Sequence, residues 1–153
     1  MARIFNTYGP RMHPNDGRVV SNFIVQALKN EDITLYGDGL QTRSFCYIDD
    51  CITGIHKLMR SDYTEPLNLG QDRMVTIDNL VDIVAGIAGV QVRKKHIPGP
   101  QGVRGRNSDN TRLRKVLGWE PQISLEEGLA RTYAWIEEMV RQKSAGAKAA
   151  SAA

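Results

Sequence analysis

Residues 33–59 read ITLYGDGLQTRSFCYIDDCITGIHKLM, and the fold class depends on the strand, turn and helix that this stretch predicts. Ile33–Tyr36 is a run of β-prone residues and predicts a short strand. The Gly-Asp-Gly sequence at 37–39 predicts a tight turn that ends it, because glycine adopts backbone conformations that other residues avoid. Residues 44–47 then predict a second extended segment that leads into a helix.

Two helices are predicted from their capping residues. The first is expected to be capped by Asp49 or Asp50, since a carboxylate there can accept hydrogen bonds from the free amides of the first turn. Its predicted apolar face consists of Ile52, Ile55, Leu58 and Met59. The second begins at Thr76, whose own hydroxyl can cap it, and Gly89 is expected to end it.

The rest of the chain continues the alternation of strands and helices. Further strands are predicted at 3–6, 66–69 and 91–97, and further helices at 18–28, at 109–117 and from 124 onward. Asp109 is expected to cap the short helix, and Ser124 with Glu127 to form a capping box for the last one. Basic residues 93–96 place the 91–97 strand at a sheet edge, where charge discourages strand addition. The sequence thus predicts an α/β fold.

Composition places the chain among ordinary soluble domains. Its 153 residues are 41% hydrophobic and 24% charged, which is enough for one buried core. No apolar run reaches the length of a membrane span and no signal-peptide pattern is found, so we expect a cytoplasmic protein without a membrane partner. The small-residue stretch at 144–153 is expected to be a disordered tail, which leaves residues 1–143 as the folded domain.

The charge distribution argues against nucleic-acid binding. Twenty Lys and Arg against seventeen Asp and Glu give a net charge of +3, spread along the chain, so backbone-phosphate binding is not expected. The alternative prediction is a nucleic-acid-binding protein, in which the contacts would be made by Lys94, Lys95, Arg104 and Arg106. No aromatic residues that could stack on bases interleave with those charges, and the rival is therefore disfavoured.

Two glycine-rich loops carry arginines suited to an anion. Arg43 lies just after the Gly-Asp-Gly turn, and Arg104 and Arg106 lie in the segment GVRGRNSD at 102–109. A guanidinium presents a planar fork of donors that matches phosphate oxygens, and adjacent glycines let a ligand approach the backbone. Together the loops predict a diphosphate clamp. The alternative is that Arg43 pairs with a nearby carboxylate such as Asp38, and that the arginines of the second loop are solvated.

Asn6 is a further candidate because of its position. It ends the first predicted strand just before the loop at Gly9 and Pro10. Open α/β sheets bind ligands outside the carboxyl ends of their strands, which is where Asn6 is expected to lie. The alternative is an Asx-turn, in which its side chain only closes the strand. Spacing leaves both interpretations open.

Common catalytic motifs are not found in this sequence. There is no Gly-x-Gly-x-x-Gly turn and no P-loop, and none of the tyrosines is followed by a lysine four residues later. Cys46 and Cys51 have no histidine partner at a meaningful spacing and no second cysteine pair, so they are expected to be buried, reduced thiols. We therefore assign no catalytic residue and no metal ligand.

Several longer stretches carry a resemblance to one family. They are ARIFNTYGPRMHPNDGRVVSNFIVQAL at 2–28, LYGDGLQTRSF at 35–45, EPLNLG at 65–70, HIPGPQGVRGRNSDN at 96–110 and LGWEPQISLEEGL at 117–129. They resemble the C-terminal half of the extended short-chain dehydrogenase/reductases, which are epimerases, dehydratases and decarboxylases of nucleotide sugars. The first stretch resembles the UDP-glucuronate decarboxylase branch, and the third and fourth the GDP-mannose 3,5-epimerase branch. The resemblance implies a few strands of a Rossmann-type sheet together with the small substrate-binding domain.

The resemblance also implies which residues contact the diphosphate. Asn6 matches the family asparagine that contacts the diphosphate and sugar side of the substrate. Arg43 matches the phosphate-binding arginine of the QTR motif, and Arg104 or Arg106 matches a second phosphate-binding arginine. This adds to the clamp interpretation, which the spacing alone leaves open.

Four other residues are assigned to the substrate. Leu35 and Tyr36 match the short strand that lines the nucleotide base, and Gln41 belongs to the QTR motif. Arg18 occupies the position where the 3,5-epimerase resemblance implies a lysine for acid-base catalysis. An arginine stays protonated at any relevant pH, so Arg18 is expected to contact substrate and not to transfer a proton. The reaction therefore stays open between epimerase, dehydratase and decarboxylase.

In the family, an NAD-binding half with a glycine-rich turn and a Tyr-x-x-x-Lys pair oxidises and reduces the sugar. The sequence begins where that half would end, so we expect the part that binds a UDP- or GDP-linked sugar, inactive by itself. The alternative is a stand-alone binding or oligomerisation module whose exposed sheet edge pairs with another copy.

Overall fold

The computed structural model describes residues 1–14, 16–100 and 102–151, and of residues 145–151 only the helical backbone. The strands are β1 (Ala2–Ile4), β2 (Thr7–Tyr8), β3 (Ile33–Tyr36), β4 (Thr42–Arg43), β5 (Cys46–Tyr47), β6 (Leu67–Leu69), β7 (Val75–Thr76), β8 (Lys94–Ile97) and β9 (Gly105–Arg106). The helices are α1 (Val19–Leu28), α2 (Ile48–Met59), α3 (Ile77–Ala88), α4 (Thr111–Leu117) and α5 (Leu125–Ser151).

Most of the strands pair in parallel. β1 pairs with β6, β2 with β5 and β3 with β8, all in parallel. β4 lies between β9, which runs parallel to it, and β7, which runs antiparallel. Parallel neighbours need a crossover between them, and here α1, α2 and α3 lie in those connections. This arrangement agrees with the predicted α/β fold.

Two apolar clusters hold the helices against the strands. The larger one joins α1, α3 and α5 to β3 and includes the fully buried Ile24, Ile33, Leu80, Leu129 and Ile136. The smaller one joins β6 to α2 and α4 and includes Cys46, Cys51, Leu67, Leu69 and Leu113. Both cysteines are buried and free, as predicted.

Helix α3 begins and ends as the sequence predicts. The Thr76 hydroxyl accepts a hydrogen bond from the Asn79 backbone N–H at 3.0 Å, which satisfies one amide of the first turn. Gly89 follows the helix with a φ of 65°, a left-handed conformation that favours glycine. The local signals for this helix are therefore confirmed.

Helix α2 differs from the prediction. Tyr47 occupies the capping position, and no side chain caps the first turn. Asp50 instead points inward and binds a distant segment, as described below. Ile52 and Met59, predicted to be part of the apolar face, are 57% and 78% exposed. The predicted Ile55 and Leu58 do pack against the smaller cluster, beside Cys51 and Gly54, small residues that the apolar periodicity did not single out.

Helices α4 and α5 differ from the predictions in their capping residues and in where α5 ends. Asn110 occupies the cap position of α4, although the Asp109 carboxylate still accepts a hydrogen bond from the Thr111 N–H at 2.9 Å. The Ser124 hydroxyl accepts a hydrogen bond from the Glu127 N–H at 3.2 Å, but the Glu127 carboxylate binds Arg131, so only half of the capping box forms. Helix α5 continues past residue 143 to Ser151. The disordered tail at 144–153 stays a prediction.

The basic strand β8 pairs with β3 alone among the described strands, in agreement with its predicted edge position. Lys94 in β8 and Arg93 just before it form ion pairs with acids of neighbouring segments. Lys94 contacts Asp78 and Asp82 of α3 at 2.7 and 2.8 Å, and Arg93 contacts Asp32 at 2.7 Å. In the described part of the chain, no helix is long and apolar enough to cross a bilayer. The cytoplasmic location stays a prediction.

Candidate functional site

A cleft of about 220 Å³ opens between α1, the end of β3 and the β4–β5 segment. Among the side chains that line it are four of the predicted site residues, which are Asn6, Tyr36, Gln41 and Arg43. Apolar residues, including Val19, Phe23, Phe45 and Ile77, form part of its wall. These four residues supply one cation, two carboxamides and one aromatic ring to a partly apolar surface, which is the usual composition of a small-molecule site.

Arg43 is the cation of the cleft, and no described carboxylate lies within ion-pairing distance of it. Its Nη1 donates to the Thr42 carbonyl at 2.7 Å. Gly102 lies close by, since a Cβ built on it would be 3.5 Å from Arg43 Nη2. Burial, with a further contribution from the Arg106 guanidinium, lowers the pKa of Arg43 from its usual value. The alternative prediction that Arg43 pairs with Asp38 is wrong.

Arg106 is exposed and does not line the cleft, but it lies beside Arg43. The two residues are register partners in the parallel β4–β9 pair. Two like charges opposite each other in a sheet repel, and no carboxylate among the described residues forms an ion pair with either of them. A bound anion would neutralise this pair, and guanidinium groups are well suited to phosphate oxygens. The structure thus places together two of the three arginines of the predicted clamp.

Arg104 is engaged elsewhere. Its Nη1 lies 2.8 Å from Asp38 Oδ2, so the carboxylate considered for Arg43 is bound by Arg104 instead. The Arg104 hydrogen bond, with a further one from the Leu40 N–H, holds the pKa of Asp38 below its ordinary value. Both side chains are exposed next to the cleft, and their ion pair links the second arginine loop to the turn at 37–39.

Asn6 has an unusual backbone and a long-range contact. Its φ is 28°, a conformation that residues other than glycine adopt rarely. Its Nδ2 donates to the Ser44 carbonyl at 2.8 Å, which ties the end of β1 to the start of β5. The side chain is therefore engaged across the sheet, which differs from the Asx-turn considered as the alternative.

The residues assigned to the nucleotide base occupy different places. Leu35 is 1% exposed and packs in the larger core, so the structure does not bring its side chain to the cleft. Tyr36 is 50% exposed and lines the cleft. A Cβ built on Gly99 would overlap the Tyr36 ring, which shows how closely the backbone of the 98–100 loop approaches that ring. Pro100 of the same loop also lines the cleft.

Gln41 is 5% exposed, and its amide group is oriented by one hydrogen bond. Its Nε2 donates to the Tyr36 carbonyl at 3.1 Å, while its Oε1 is buried without a partner in the described structure. Its backbone carbonyl accepts from the Ile77 N–H at 3.0 Å and so joins the cleft to the start of α3.

Arg18 does not line the cleft. It faces an adjoining hollow of about 420 Å³ that also includes Asn6, Tyr8 and Met12, and it contacts Asp16 at 3.4 Å. Sequence reasoning missed Asn22 and Thr34, two polar residues that do line the cleft. Their helical and strand positions were recognised, but no local signal shows which face of those elements meets the cleft.

Neither of the cysteines forms part of the cleft lining. Burial, followed by the neighbouring Cys51 and Asp50, raises the pKa of Cys46 to about 12, so its thiol is not a nucleophile at neutral pH. Within the described residues, no group of three or more His, Cys, Asp or Glu side chains could hold a metal ion.

Comparison with known proteins shows a consistent set of relatives. Residues 1–132 match the family model of GDP-mannose 4,6 dehydratase. The chain is 42% identical over 146 residues to GDP-mannose 3,5-epimerase 1 of Oryza sativa subsp. indica, covering 94% of this chain and 39% of that protein. It is 47% identical over 130 residues to UDP-glucuronic acid decarboxylase 5 of Arabidopsis thaliana, covering 84% and 38% respectively. The chain thus spans less than half the length of these relatives.

Solved structures of nucleotide-sugar epimerases also align with this chain. The UDP-glucose 4-epimerase of Thermotoga maritima, solved with UDP-glucose, aligns with a TM-score of 0.86 at 33% identity, covering 91% of this chain and 46% of that one. The UDP-glucuronic acid 4-epimerase of Bacillus cereus, solved with UDP-glucuronic acid and NAD, aligns with a TM-score of 0.83 at 30% identity, covering 90% and 45%. The predicted α/β fold class, with strands of a Rossmann-type sheet as in these epimerases, is confirmed.

Proposed function

We propose, because this chain belongs to the GDP-mannose 4,6 dehydratase family of extended short-chain dehydrogenase/reductases, that it binds a nucleotide-diphosphate sugar in its cleft. The observation that carries the proposal is the juxtaposition of Arg43 and Arg106, two cations that face each other without a described carboxylate partner. A diphosphate between them would replace repulsion by charge-assisted hydrogen bonds. Asn6, which lines the same cleft, is assigned to the sugar side of the diphosphate.

The base side of the ligand is assigned to Tyr36. Its half-exposed ring offers an apolar surface on which a nucleobase can stack, and the close backbone at Gly99 holds that ring in place. Two solved relatives contain UDP-sugars, so a UDP-linked sugar is the first substrate to test. A GDP-linked sugar is the second, since the chain is also similar to a GDP-mannose 3,5-epimerase.

The hydride chemistry of the family is not assigned to this chain. NAD is present in a solved relative, where it accompanies a UDP-sugar. The helices that follow strands directly in this chain begin after Tyr47 and Thr76, whereas a dinucleotide turn needs glycine at such a junction. We therefore assign NAD binding to no described residue, and we expect this chain alone not to turn over a nucleotide sugar.

A second candidate function is a non-catalytic binding or oligomerisation module. It is favoured by β1, which pairs only with β6 among the described strands and leaves Ile4 52% exposed. An open strand edge of this kind can pair with another chain. The two candidates differ in ligand binding, because a module that acts through β1 alone does not require nucleotide diphosphates in the cleft.

The experiment is calorimetric titration of the chain with UDP and GDP at low salt. We expect one of them to bind and Arg43→Ala to weaken that binding by about 1.5–3 kcal/mol, roughly tenfold or more, because a charged hydrogen bond is lost. Arg141→Ala is the matched control, since Arg141 is exposed on α5 and does not line the cleft. Equal affinities for the native chain and Arg43→Ala would reject the diphosphate site.

A further inference from the structure

A hollow of about 390 Å³ is lined by residues of β1, β6 and α4, and it shares no lining residue with the cleft. Three of its side chains are cations, namely Arg3, Arg112 and Lys115. Arg3 belongs to β1, whereas Arg112 and Lys115 lie three residues apart on α4 and therefore on one side of that helix. Two separate elements thus bring positive charge to the same concave surface.

The cations of the hollow have no acidic partner. None of the three forms an ion pair with a carboxylate in the part of the chain that the structure describes. Arg114, on the same helix but outside the hollow lining, contacts Asp72 at 3.3 Å and Glu120 at 2.6 Å. Helix α4 therefore has one guanidinium that is paired within the chain, and its two cations at the hollow are left unpaired.

The single carboxylate that lines the hollow, Asp109, does not balance this charge. Its Oδ1 accepts a hydrogen bond from the Thr111 N–H at 2.9 Å. That hydrogen bond, with a further one from the Thr111 hydroxyl, holds the pKa of Asp109 below its ordinary value. The carboxylate is ionised at neutral pH, and three cations with one carboxylate leave the lining with a net charge of +2. Like charges on one concave surface repel, and a bound dianion would neutralise them.

A neutral donor lies on the same surface. Asn68 is the register partner of Arg3 in the parallel β1–β6 pair, so both side chains project from one face of the sheet. Its Nδ2 makes one long hydrogen bond, of 3.5 Å, to the Asp109 carbonyl. A carboxamide nitrogen carries two hydrogens, so one of them stays available to a ligand oxygen. The guanidinium groups, the ammonium group and this amide all donate, which suits the oxygens of a phosphate group.

We propose that this hollow binds a small dianion with a phosphate group, held by Arg3, Arg112 and Lys115. The site does not rest on the proposed function, because the cleft contributes none of its residues. A concave lining of a few residues fits a compact anion. Nucleic acid, whose phosphates follow one another along a strand, requires cations spread over an extended surface.

The test is a titration of the native chain with inorganic phosphate at constant ionic strength and about pH 8, where a phosphate group carries close to two charges. NMR follows the Asn68 side-chain amide and the Thr111 backbone amide, which both belong to hollow-lining residues. We expect the two resonances to shift along one saturating curve. Acetate, which carries one charge, should bind more weakly. Methyl phosphate, compared with inorganic phosphate, distinguishes a phosphate ester from the free ion as the preferred ligand.

Substitutions on α4 test which side chains hold the anion. Arg112→Gln and Lys115→Gln should each weaken phosphate binding about threefold to tenfold, since a charge-assisted hydrogen bond is lost at an exposed position. Arg141→Gln is the matched control. It removes the same charge from an exposed position on α5, outside the hollow lining, and should leave the affinity unchanged.

Four results would overturn the proposal. Phosphate may leave the Asn68 and Thr111 resonances unshifted, or shift the Gln41 side-chain amide of the cleft instead of them. Arg141→Gln may weaken binding as much as Lys115→Gln does, which would show an effect of net charge alone. Acetate may bind as tightly as phosphate. Duplex DNA may shift the same resonances at a lower concentration than phosphate, which would show an extended polyanion as the ligand. The titrations of the native chain decide the question even where a variant does not fold, and none of these results depends on nucleotide binding in the cleft.

Discussion

Polar groups at the start of α5 and polar groups in the cleft are arranged in opposite ways. Before α5, the buried Asp50 carboxylate accepts hydrogen bonds from the Gln122 and Ile123 N–H groups at 2.9 and 2.8 Å. In the first turn of α5, Glu126 holds Arg73 through two hydrogen bonds of 2.7 and 2.8 Å. Charges and backbone amides in this region are therefore matched within the chain.

In the cleft the matching is incomplete. Arg43 lines the cleft and has the exposed Arg106 as its register partner at the cleft's margin, and Gln41 retains an unpaired oxygen. Folding alone favours the first arrangement, because unpaired buried groups and like charges both lower stability. The region before α5 is therefore matched within the chain, and under the proposed function a bound ligand would complete the matching in the cleft. Substitutions in the two regions should accordingly have different consequences.

The largest effect is expected at Asp50. Asp50→Ala should lower the free energy of unfolding by at least about 3 kcal/mol, since it removes two hydrogen bonds to a charged acceptor and leaves two amides without a partner. Chemical denaturation of the variant and of Asp62→Ala measures this. Asp62 is an exposed aspartate, so its removal should change little. If Asp50→Ala changed the free energy of unfolding as little as Asp62→Ala does, the proposed difference between the region before α5 and the cleft would be wrong.

A smaller effect is expected from the buried thiol of β5. An ordinary thiol ionises near pH 9.0, whereas burial raises the pKa of Cys46 to about 12. Between these values the unfolded chain has lost a proton that the folded chain still holds, so stability falls as the pH rises. From pH 9 to pH 10 the loss should be about 1 kcal/mol, and Cys46→Ala should remove that part of the slope. Denaturation at a series of pH values tests this, and identical slopes for the two proteins would contradict it.

The smallest effect is expected at Arg104. Because Asp38 already occupies this guanidinium, Arg104→Ala should weaken nucleotide binding less than Arg43→Ala does. Its clearer consequence should be a rise in the pKa of Asp38 toward the ordinary value, measurable by NMR titration of the carboxyl carbon. A loss of affinity as large as that of Arg43→Ala would show instead that the Asp38 contact breaks when ligand binds.

Features that depend on neighbouring residues were predictable from the sequence. The strand Ile33–Tyr36, the Thr76 cap and the Gly89 stop each depend on a few adjacent residues, and all three are confirmed. The prediction that Asp49 or Asp50 caps α2 was wrong because the partners of Asp50 are far away in the sequence. The backbone amides that bind Asp50 lie at Gln122 and Ile123, and no local pattern reveals a partner so distant in sequence.

The candidate site was predictable only in part for the same reason. The resemblance named Asn6, Tyr36, Gln41 and Arg43, and the structure brings these four together. The choice between Arg104 and Arg106 could not be made, because it depends on the register of β4 and β9, strands of two residues each. Strands that short have no alternation of apolar and polar residues to detect.

The close approach of Gly99 to Tyr36 has a consequence for the evolution of this chain. A methyl group at position 99 would displace either the loop or the ring, so the two positions cannot vary independently. A change to alanine at 99 would fit without a shift of the loop or the ring only together with a smaller residue at 36, and that pair of substitutions would reshape one end of the cleft. Residues 36 and 99 are therefore expected to change together where this end of the cleft changes shape.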